Sequence, residues 1–330
     1  MSQGATVGRR IFRGLTVAVR GVVWLLGALT LFAFLDRFSS YMELLTFFRV
    51  QYAALLLLAA LVALAVRLPR VALAALVLTG VNLVVVGPTW ISPRTEAGTA
   101  LGSLSLLLIN VESGNTQHAD VSRLIAKTDP DVIGLIELTP RWADALAPAL
   151  SRFPSRRLET QDGAYGIGLY SKSSFRQAKV EHFAGDAAPS VVARFDMGEG
   201  PFTLVLTHVH TPFAGDVHRR QLEALADARK ALGERVAICG DFNAVPWSSS
   251  FRHLVSAADL TDSHEGHWLE GSWPSWGPLL RVPLDNCLIS SGVTVIERKR
   301  GDDVGSDHFP LIIRFGSVES STEHSTEWSD

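Results

Sequence analysis

The sequence predicts an α/β layered domain placed behind three membrane-spanning helices. Three observations carry this. The first 91 residues are mostly apolar, in three runs separated by short charged turns. Residues 104–315 alternate short apolar runs with helix-like segments. Within that second part, Asp, Glu, Asn and His gather just beyond the ends of the apolar runs.

The apolar runs cover residues 14–35, 50–66 and 71–91. Each is close to the length needed to cross about 30 Å of hydrocarbon. Arg20 lies near the start of the first, where a long side chain can reach the interface, and Gly80, Asn82 and Pro88 lie in the outer half of the third. A cleaved signal peptide fits poorly, because no small-residue cleavage site follows and two more runs come after. Buried helices of a soluble protein are the alternative. Arg9, Arg10, Arg13 and Arg20 precede or open the first run, and Arg67 and Arg70 bracket the turn between the second and third. The loop 36–49 instead mixes Asp36 and Glu43 with Arg37 and Arg49. Basic residues mark the cytoplasmic side. The expectation is a multi-pass protein of the cytoplasmic membrane, its N-terminus inside and everything after residue 91 outside.

Residues 92–103 read as a linker, and 316–330 as a disordered, Ser/Thr/Glu-rich tail. Between them, strands are expected at 104–109, 132–136, 166–170, 191–195, 202–207, 236–239, 284–290 and 311–315. Helices are expected at 121–127, 141–150 and 219–232. Asp129-Pro130 ends the first helix, and Leu222, Leu225, Ala226 and Leu232 share one side of the last. No internal repeat is evident. Cys239 and Cys287 each sit in an apolar run and read as buried thiols; an extracytoplasmic compartment would also permit a disulfide between them.

Residues 104–315 carry 21 Lys+Arg and 26 Asp+Glu, a net of −5. A protein that grips nucleic acid presents a basic face, so this balance makes a nucleic-acid partner unlikely. Asn110 and Glu112 follow the strand 104–109, Glu137 follows 132–136, and His208 and His210 follow 202–207. Asp241 and Asn243 follow 236–239, and Asp307-His308 precedes 311–315. That placement lines one rim of a sheet. Hard oxygen donors without a Cys/His cluster favour Mg²⁺ or Mn²⁺ over Zn²⁺, and such a set supports attack of water on phosphorus.

Gly240-Asp241-Phe242-Asn243, Ser306-Asp307-His308, Thr207-His208 and the Asn110/Glu137 pair, in this order, resemble the endonuclease/exonuclease/phosphatase superfamily. The resemblance spans about 104–315. The preceding apolar runs and Trp273-Pro274 resemble its membrane-anchored bacterial branch, which includes VanJ-type proteins associated with teicoplanin resistance. The resemblance implies a four-layer α/β sandwich, two packed β-sheets flanked by helices, behind the three transmembrane helices. It implies metal ligation by Glu137 and Asp307, with Asn110 and Glu112 in or next to the ligand set. It further implies that Asp241 orients or deprotonates water and Asn243 holds a phosphoryl oxygen. His208 would contact phosphate or serve as general acid, and His308 would contact phosphate with its pKa raised by Asp285. Two positions depart from the family's habit: Asn286 stands where an aromatic residue or His is common, and Pro283 where Arg is common.

His210 and Asn115 are further candidates for substrate contact, with a loop or turn role as the alternative for each. His264, Glu265 and His267 imitate a metal cluster but sit in a Gly/Ser/Trp-rich loop and read as structural. Trp268, Trp273 and Trp276 suit either the core edge or a membrane interface.

The expected function is hydrolysis of a phosphate ester or pyrophosphate on a lipid-linked substrate, with an isoprenoid pyrophosphate of cell-wall synthesis fitting the VanJ-like resemblance. The anchor would act as a tether that raises the local concentration of lipid-borne substrate. An extracellular nuclease and a non-catalytic membrane sensor or binding module are the rivals. The arginine placement yields a first test. A C-terminal alkaline phosphatase fusion is expected to be active, and a fluorescent fusion that folds only in the cytoplasm to be dark. The reverse pattern would overturn the topology.

Overall fold

The three apolar runs fold as helices packed against one another in the computed structural model, which describes residues 2–91, 102–185, 188–198, 200–265 and 270–317. The first part comprises α1 (Ser2–Phe32), a 3-10 segment (Ala33–Phe38), α2 (Ser40–Glu43), α3 (Arg49–Ala65), α4 (Pro69–Val86) and α5 (Pro88–Ile91). Two stretches, Arg10–Phe38 and Pro69–Val86, are long and apolar enough to cross a membrane. The expected third span is shorter: α3 has 17 residues, about 25 Å of helix at 1.5 Å per residue. Small residues Ala59, Ala60 and Ala75 pack beside Leu26 and Leu56, which lets the helix backbones approach closely. Two hydrogen bonds between buried side chains join the helices. Asn82 Nδ2 donates to Thr30 Oγ1 at 2.9 Å, and Arg49 donates to Asn82 Oδ1 at 3.3 Å. The expected linker (92–101) and most of the expected tail (318–330) lie outside the described residues, as do His267 and Trp268.

The second part runs β1 (Ser103–Asn110), α6 (His118–Thr128), β2 (Val132–Ile136), α7 (Pro140–Leu150), β3 (Ser155–Glu159), β4 (Ile167–Ser171), β5 (Gln177–Glu181), β6 (Ser190–Met197) and β7 (Gly200–His208). It continues with α8 (Asp216–Ala228), β8 (Val236–Asp241), α9 (Ser249–Ala257), β9 (Thr261–Asp262), β10 (Asp285–Ile289), β11 (Val293–Arg300) and β12 (Leu311–Ser317). One sheet has the order β11-β12-β1-β2-β4-β3 and the other β5-β6-β7-β8-β10-β9. Each is mixed, with one parallel pair, β1/β2 and β7/β8, joined through α6 and α8 as a parallel connection requires. Local signals set the helix starts: Thr139 accepts from the Trp142 amide ahead of Pro140, and Ser248 accepts from Phe251 N.

Side chains that alternate toward the middle form a core between the sheets, including Leu106, Leu108, Val191, Leu204, Leu206 and Phe315. Outside one sheet, α6 and α7 cover Leu107, Ile109 and Ile133 with Val121, Trp142 and Leu146; outside the other, α8 and α9 cover Val205 and Ile238 with Leu222, Leu225 and Leu254. This is the α/β sandwich, two packed mixed sheets flanked by helices. The buried-thiol reading of the cysteines is corrected. Cys239 and Cys287 are register partners across the antiparallel β8/β10 pair and are joined as a disulfide.

The N-terminal helical part, the expected anchor, packs directly on the α/β part. Trp247 Nε1 donates to Thr46 O at 2.7 Å, Ser249 N donates to Asp36 Oδ2 at 2.7 Å, and Glu43 is bonded to Ser250 and lies 3.3 Å from His218 Nε2. Phe47 and Val86 share an apolar cluster with Val245, Trp247, Val282 and Leu284.

Gly240 has a packing reason to be glycine. A Cβ there would lie 1.8 Å from the Thr207 carbonyl oxygen on the neighbouring strand, at a φ of +159°. Gly240→Ala is therefore expected to lower the melting temperature sharply or prevent folding. Gly114→Ala, where a Cβ meets nothing within 4 Å, should leave it within a few degrees. Equal effects at the two positions would refute the account.

Candidate active site

The polar residues at the strand ends of both sheets converge. Asn110, at the end of β1, donates through Nδ2 to Glu137 Oε1 at 3.2 Å and to Asp241 Oδ2 at 3.3 Å, so one amide joins the two sheets. Its Oδ1 accepts from Glu112 N at 3.1 Å, which makes Asn110 a holder of carboxylates in this arrangement. Ser113 N donates to Glu137 Oε2 at 2.9 Å, and Asp307 N donates to Glu112 Oε2 at 3.0 Å. Burial pushes the Glu112 carboxyl above its usual range, and the nearby Asp307 and Glu137 charges add to this. Glu112, Glu137 and Asn243 all hold positive φ, at 55°, 61° and 46°. Non-glycine residues reach that region at a cost, and such positions concentrate at functional sites.

On the other sheet, Asp285 and Asp241 are register partners at the ends of β10 and β8. His308 Nδ1 lies 2.7 Å from Asp285 Oδ2, and its Nε2 lies 3.6 Å from Asp241 Oδ2. Burial opposes charge on this ring, but Asp285 and Asp241 outweigh it and raise its pKa to about 10. Burial also pushes the Asp241 carboxyl upward, with His308 opposing and Asp285 adding to the rise. Asp241, Asp285 and His308 are close enough to hold a metal among them; when no ion is there, the two carboxylates favour a proton on His308 and the three form an ion triad. Asp241 Oδ1 accepts from Asn243 N at 2.9 Å. His208 Nδ1 donates to Ala164 O at 2.9 Å, which leaves its Nε2 as acceptor for Asn243 Nδ2 at 3.3 Å.

Glu137, His208, Asp241, Asn243, Asp307 and His308 line one cavity of about 450 Å³. Among the described residues its lining holds three carboxylates and neither Lys nor Arg. Asn110, Glu112 and Asp285 stand behind this lining through the bonds above. Two candidates lie apart. Asn115 spends both amide hydrogens on Val111 O and Val304 O and accepts from Gln117 N, as a turn residue does. His210 stacks on Tyr165 at 4.3 Å and pairs with Gln221. His264 is buried beside Asp262 and Arg298, away from the cavity lining.

The endonuclease/exonuclease/phosphatase family matches residues 107–308, more than half of the chain. The chain belongs to that family. No curated protein matches the sequence. Among solved structures, TDP2 of D. rerio complexed with a single-strand DNA product matches with a TM-score of 0.54 at 19% identity, over 65% of this chain and 99% of that one. An endonuclease/exonuclease/phosphatase from Bacteroides vulgatus matches at 0.54 and 16%, over 66% and 99%. A mannosyl-6-phosphatase of Bacteroides thetaiotaomicron matches at 0.50 and 15%, over 64% and 99%. At these identities the likeness shows the fold alone. The single-strand DNA product belongs to that TDP2 complex, and the fold by itself does not decide the nucleic-acid expectation drawn from net charge.

Trp273 and Tyr165 are among the residues of this family member's cavity that escaped the sequence reading. Trp273 donates from Nε1 to Asp307 Oδ2 at 3.0 Å, so it serves the site rather than only the core edge or an interface. Tyr165 lines the same cavity, and burial, then the Glu137 charge, push its hydroxyl pKa upward. The density of tryptophans hinted at the first; nothing local marks the second. Asn286, where the family often differs, turns away from the site and donates to Asp262 Oδ1 at 2.7 Å.

The His308 geometry has a sign. Its folded pKa, about 10, exceeds the ordinary 6.5, so the stabilisation from its ion triad is fully present below about pH 6.5 and is lost as pH rises through about 10. In metal-free protein labelled at histidine, NMR is expected to show the His308 ring protonated through pH 8. Asp285→Asn should bring its titration down toward neutrality. A native His308 that titrates near pH 6.5 would overturn the triad.

Proposed function

We propose that the protein is a membrane-anchored, divalent-metal-dependent phosphoesterase that hydrolyses a phosphate ester or pyrophosphate on a lipid-linked substrate outside the cytoplasmic membrane. The observation that carries the chemistry is the cavity floor, with carboxylates from one sheet facing a buried Asp/His/Asn set from the other.

The residues present fit Mg²⁺ or Mn²⁺. Glu137 and Asp307, with Glu112 next to them, offer hard oxygen donors, and no Lys or Arg of the described cavity lining offsets their charge. Glu137 and Asp307 would hold the ion. Bound there, a divalent ion supplies charge neutralisation at the phosphoryl oxygens. The other groups are this chain's own. Asp241, fixed by Asn243 N and Asn110 Nδ2, would orient the attacking water and take its proton. Asn243 and the His308 imidazolium supply donors for phosphoryl oxygens where negative charge builds. His208, whose Nδ1 is committed to Ala164 O, offers Nε2 for proton exchange with the leaving oxygen.

The lipid-linked reading, the VanJ-like branch and an isoprenoid pyrophosphate as substrate are supported by the apolar helices packed beside the cavity. The arginine pattern supports an outside location: the catalytic domain meets the ends of α1 and α3 that flank the 36–49 loop, opposite the turn at Arg67. Net charge weighs against a duplex substrate.

EDTA is expected to abolish activity and Mg²⁺ or Mn²⁺ to restore it, and Glu137→Ala should raise the metal concentration required. Asp241→Ala, Asn243→Ala and His308→Ala should each lower kcat by at least about 10²-fold, the usual cost of one transition-state donor. Full activity after exhaustive EDTA dialysis would refute the metal. Salt-sensitive plasmid nicking without release of lipid phosphate would hand the assignment to the nuclease.

A further inference from the structure

The catalytic cavity is not built from the catalytic domain alone. Leu44, Phe47 and Phe48, from the segment between the first and second long helices, line it together with Glu137, Asp241 and His308. Phe213, Trp273 and Leu284 extend the apolar part from the domain's side. Phe47 is buried in the anchor–domain cluster, whereas Leu44 and Phe48 are half-buried.

The segment is held in place. Asp36 accepts from Ser249 N, Thr46 O accepts from Trp247 Nε1, and Glu43 meets Ser250 and the buried His218. These partners come from the segment that follows Asn243 and from α8, so the wall and the catalytic groups share one framework. The outer rim is apolar as well. Phe213 is 69% exposed, Trp276 72% and Leu279 86%, and Gln51 at the start of α3 donates to the carbonyls of Leu279 and Arg281. The apolar loop of the domain thus sits at the start of α3, the shorter apolar helix.

We propose that Leu44 and Phe48, with Phe213 and Trp273 of the same cavity, hold the hydrocarbon attached directly to the scissile phosphate, so that the substrate is an alkyl- or prenyl-type phosphate drawn from the bilayer rather than a sugar or nucleoside phosphate. This rests on the phosphoesterase reading above and adds the specificity-determining residues to it. Beyond the catalytic set, the described lining offers few side-chain polar groups, those of Thr211 and Tyr165 among them. A sugar or nucleoside bonded to the phosphate would leave several hydroxyls unpaired against hydrocarbon, and buried unpaired polar groups are what discriminate most strongly between substrates. A hydrocarbon chain gains with each methylene it buries.

The test uses full-length protein in mixed micelles with Mg²⁺. The substrates are alkyl diphosphates and p-nitrophenyl alkyl phosphodiesters carrying methyl, octyl or dodecyl chains. Wild-type kcat/KM is expected to rise at least about tenfold from methyl to dodecyl. The paired change Leu44→Asn with Phe48→Asn should collapse that ratio toward one, while Ile296→Asn, on an edge strand away from the cavity, should preserve it. A flat chain-length series, or a ratio that survives in a folded paired variant, would overturn the wall. If the paired variant does not fold, a dodecyl diphosphate with a diazirine near the phosphate decides the matter on wild-type protein. Labelling of the peptide that contains Leu44 and Phe48, competed by unlabelled dodecyl diphosphate, supports the proposal; labelling confined to other peptides overturns it. The label reads binding, so it still decides if no member of the series is turned over, which would instead sink the phosphoesterase reading.

Discussion

The site is a seam between two sheets, and its geometry depends on how those sheets pack. Asn110 belongs to one sheet and Asp241 to the other, and a single amide bridges them. The loop that leads into β12 carries His308 to Asp285 at the end of β10. Neither sheet alone holds a complete set. The side chains between them, Leu106, Leu108, Leu204 and Leu206 among others, therefore set the distances within the candidate site as well as the stability. Close-packed cores transmit small volume changes, so a core substitution far from the cavity can act on rate through geometry.

That seam also explains why buried charge is tolerated. A lone buried carboxylate is costly, and three facing one cavity would repel. On the β8/β10 side the cost is met within the protein, by a proton held on His308 between Asp285 and Asp241. On the β1/β2 side the partners are neutral donors, Asn110 Nδ2, Ser113 N and Asp307 N. The uncompensated half is the half proposed above to hold the cation. The two halves of one cavity thus take different protonation behaviour from different neighbours.

Much of the fold was legible because buried strands write themselves as apolar runs. The interior strands of both sheets, β12, β1, β2, β4 and β6, β7, β8, β10, were read within a few residues. The strands missed, β3, β5, β9 and β11, are the four sheet edges. Edges such as Gln177–Glu181 alternate exposure and carry charge, which protects them from pairing with other chains and removes the apolar signal. Helix α9 was missed for a similar reason, a nine-residue segment with three serines and only a short apolar face. The placement of Asp241, Asn243, Asp307 and His308 was legible from motifs at strand ends. Tyr165 and Trp273 were not, because they reach the cavity from loops whose path only the fold defines. The disulfide was open for the same reason: it requires the register of β8 against β10.

The relation of anchor to domain follows from where the apolar residues stand. A loop leaving a catalytic motif usually runs over the surface and is polar. Here Val245 and Trp247 follow Asn243 closely, and Leu284 directly precedes Asp285, yet all three are buried against Phe47 and Val86 of the anchor. The chain segments that deliver Asn243 and Asp285 are thus supported on one side by the sheet and on the other by the anchor. A pure tether would leave these side chains exposed and the 36–49 loop free. With the contacts that exist, separating the two parts would uncover an apolar face and release the segments that carry Asn243 and Asp285. In the membrane-anchored reading proposed above, tethering would then act through site geometry as well as through concentration, because the N-terminal surface that meets the domain is the same surface that supports the segments carrying Asn243 and Asp285.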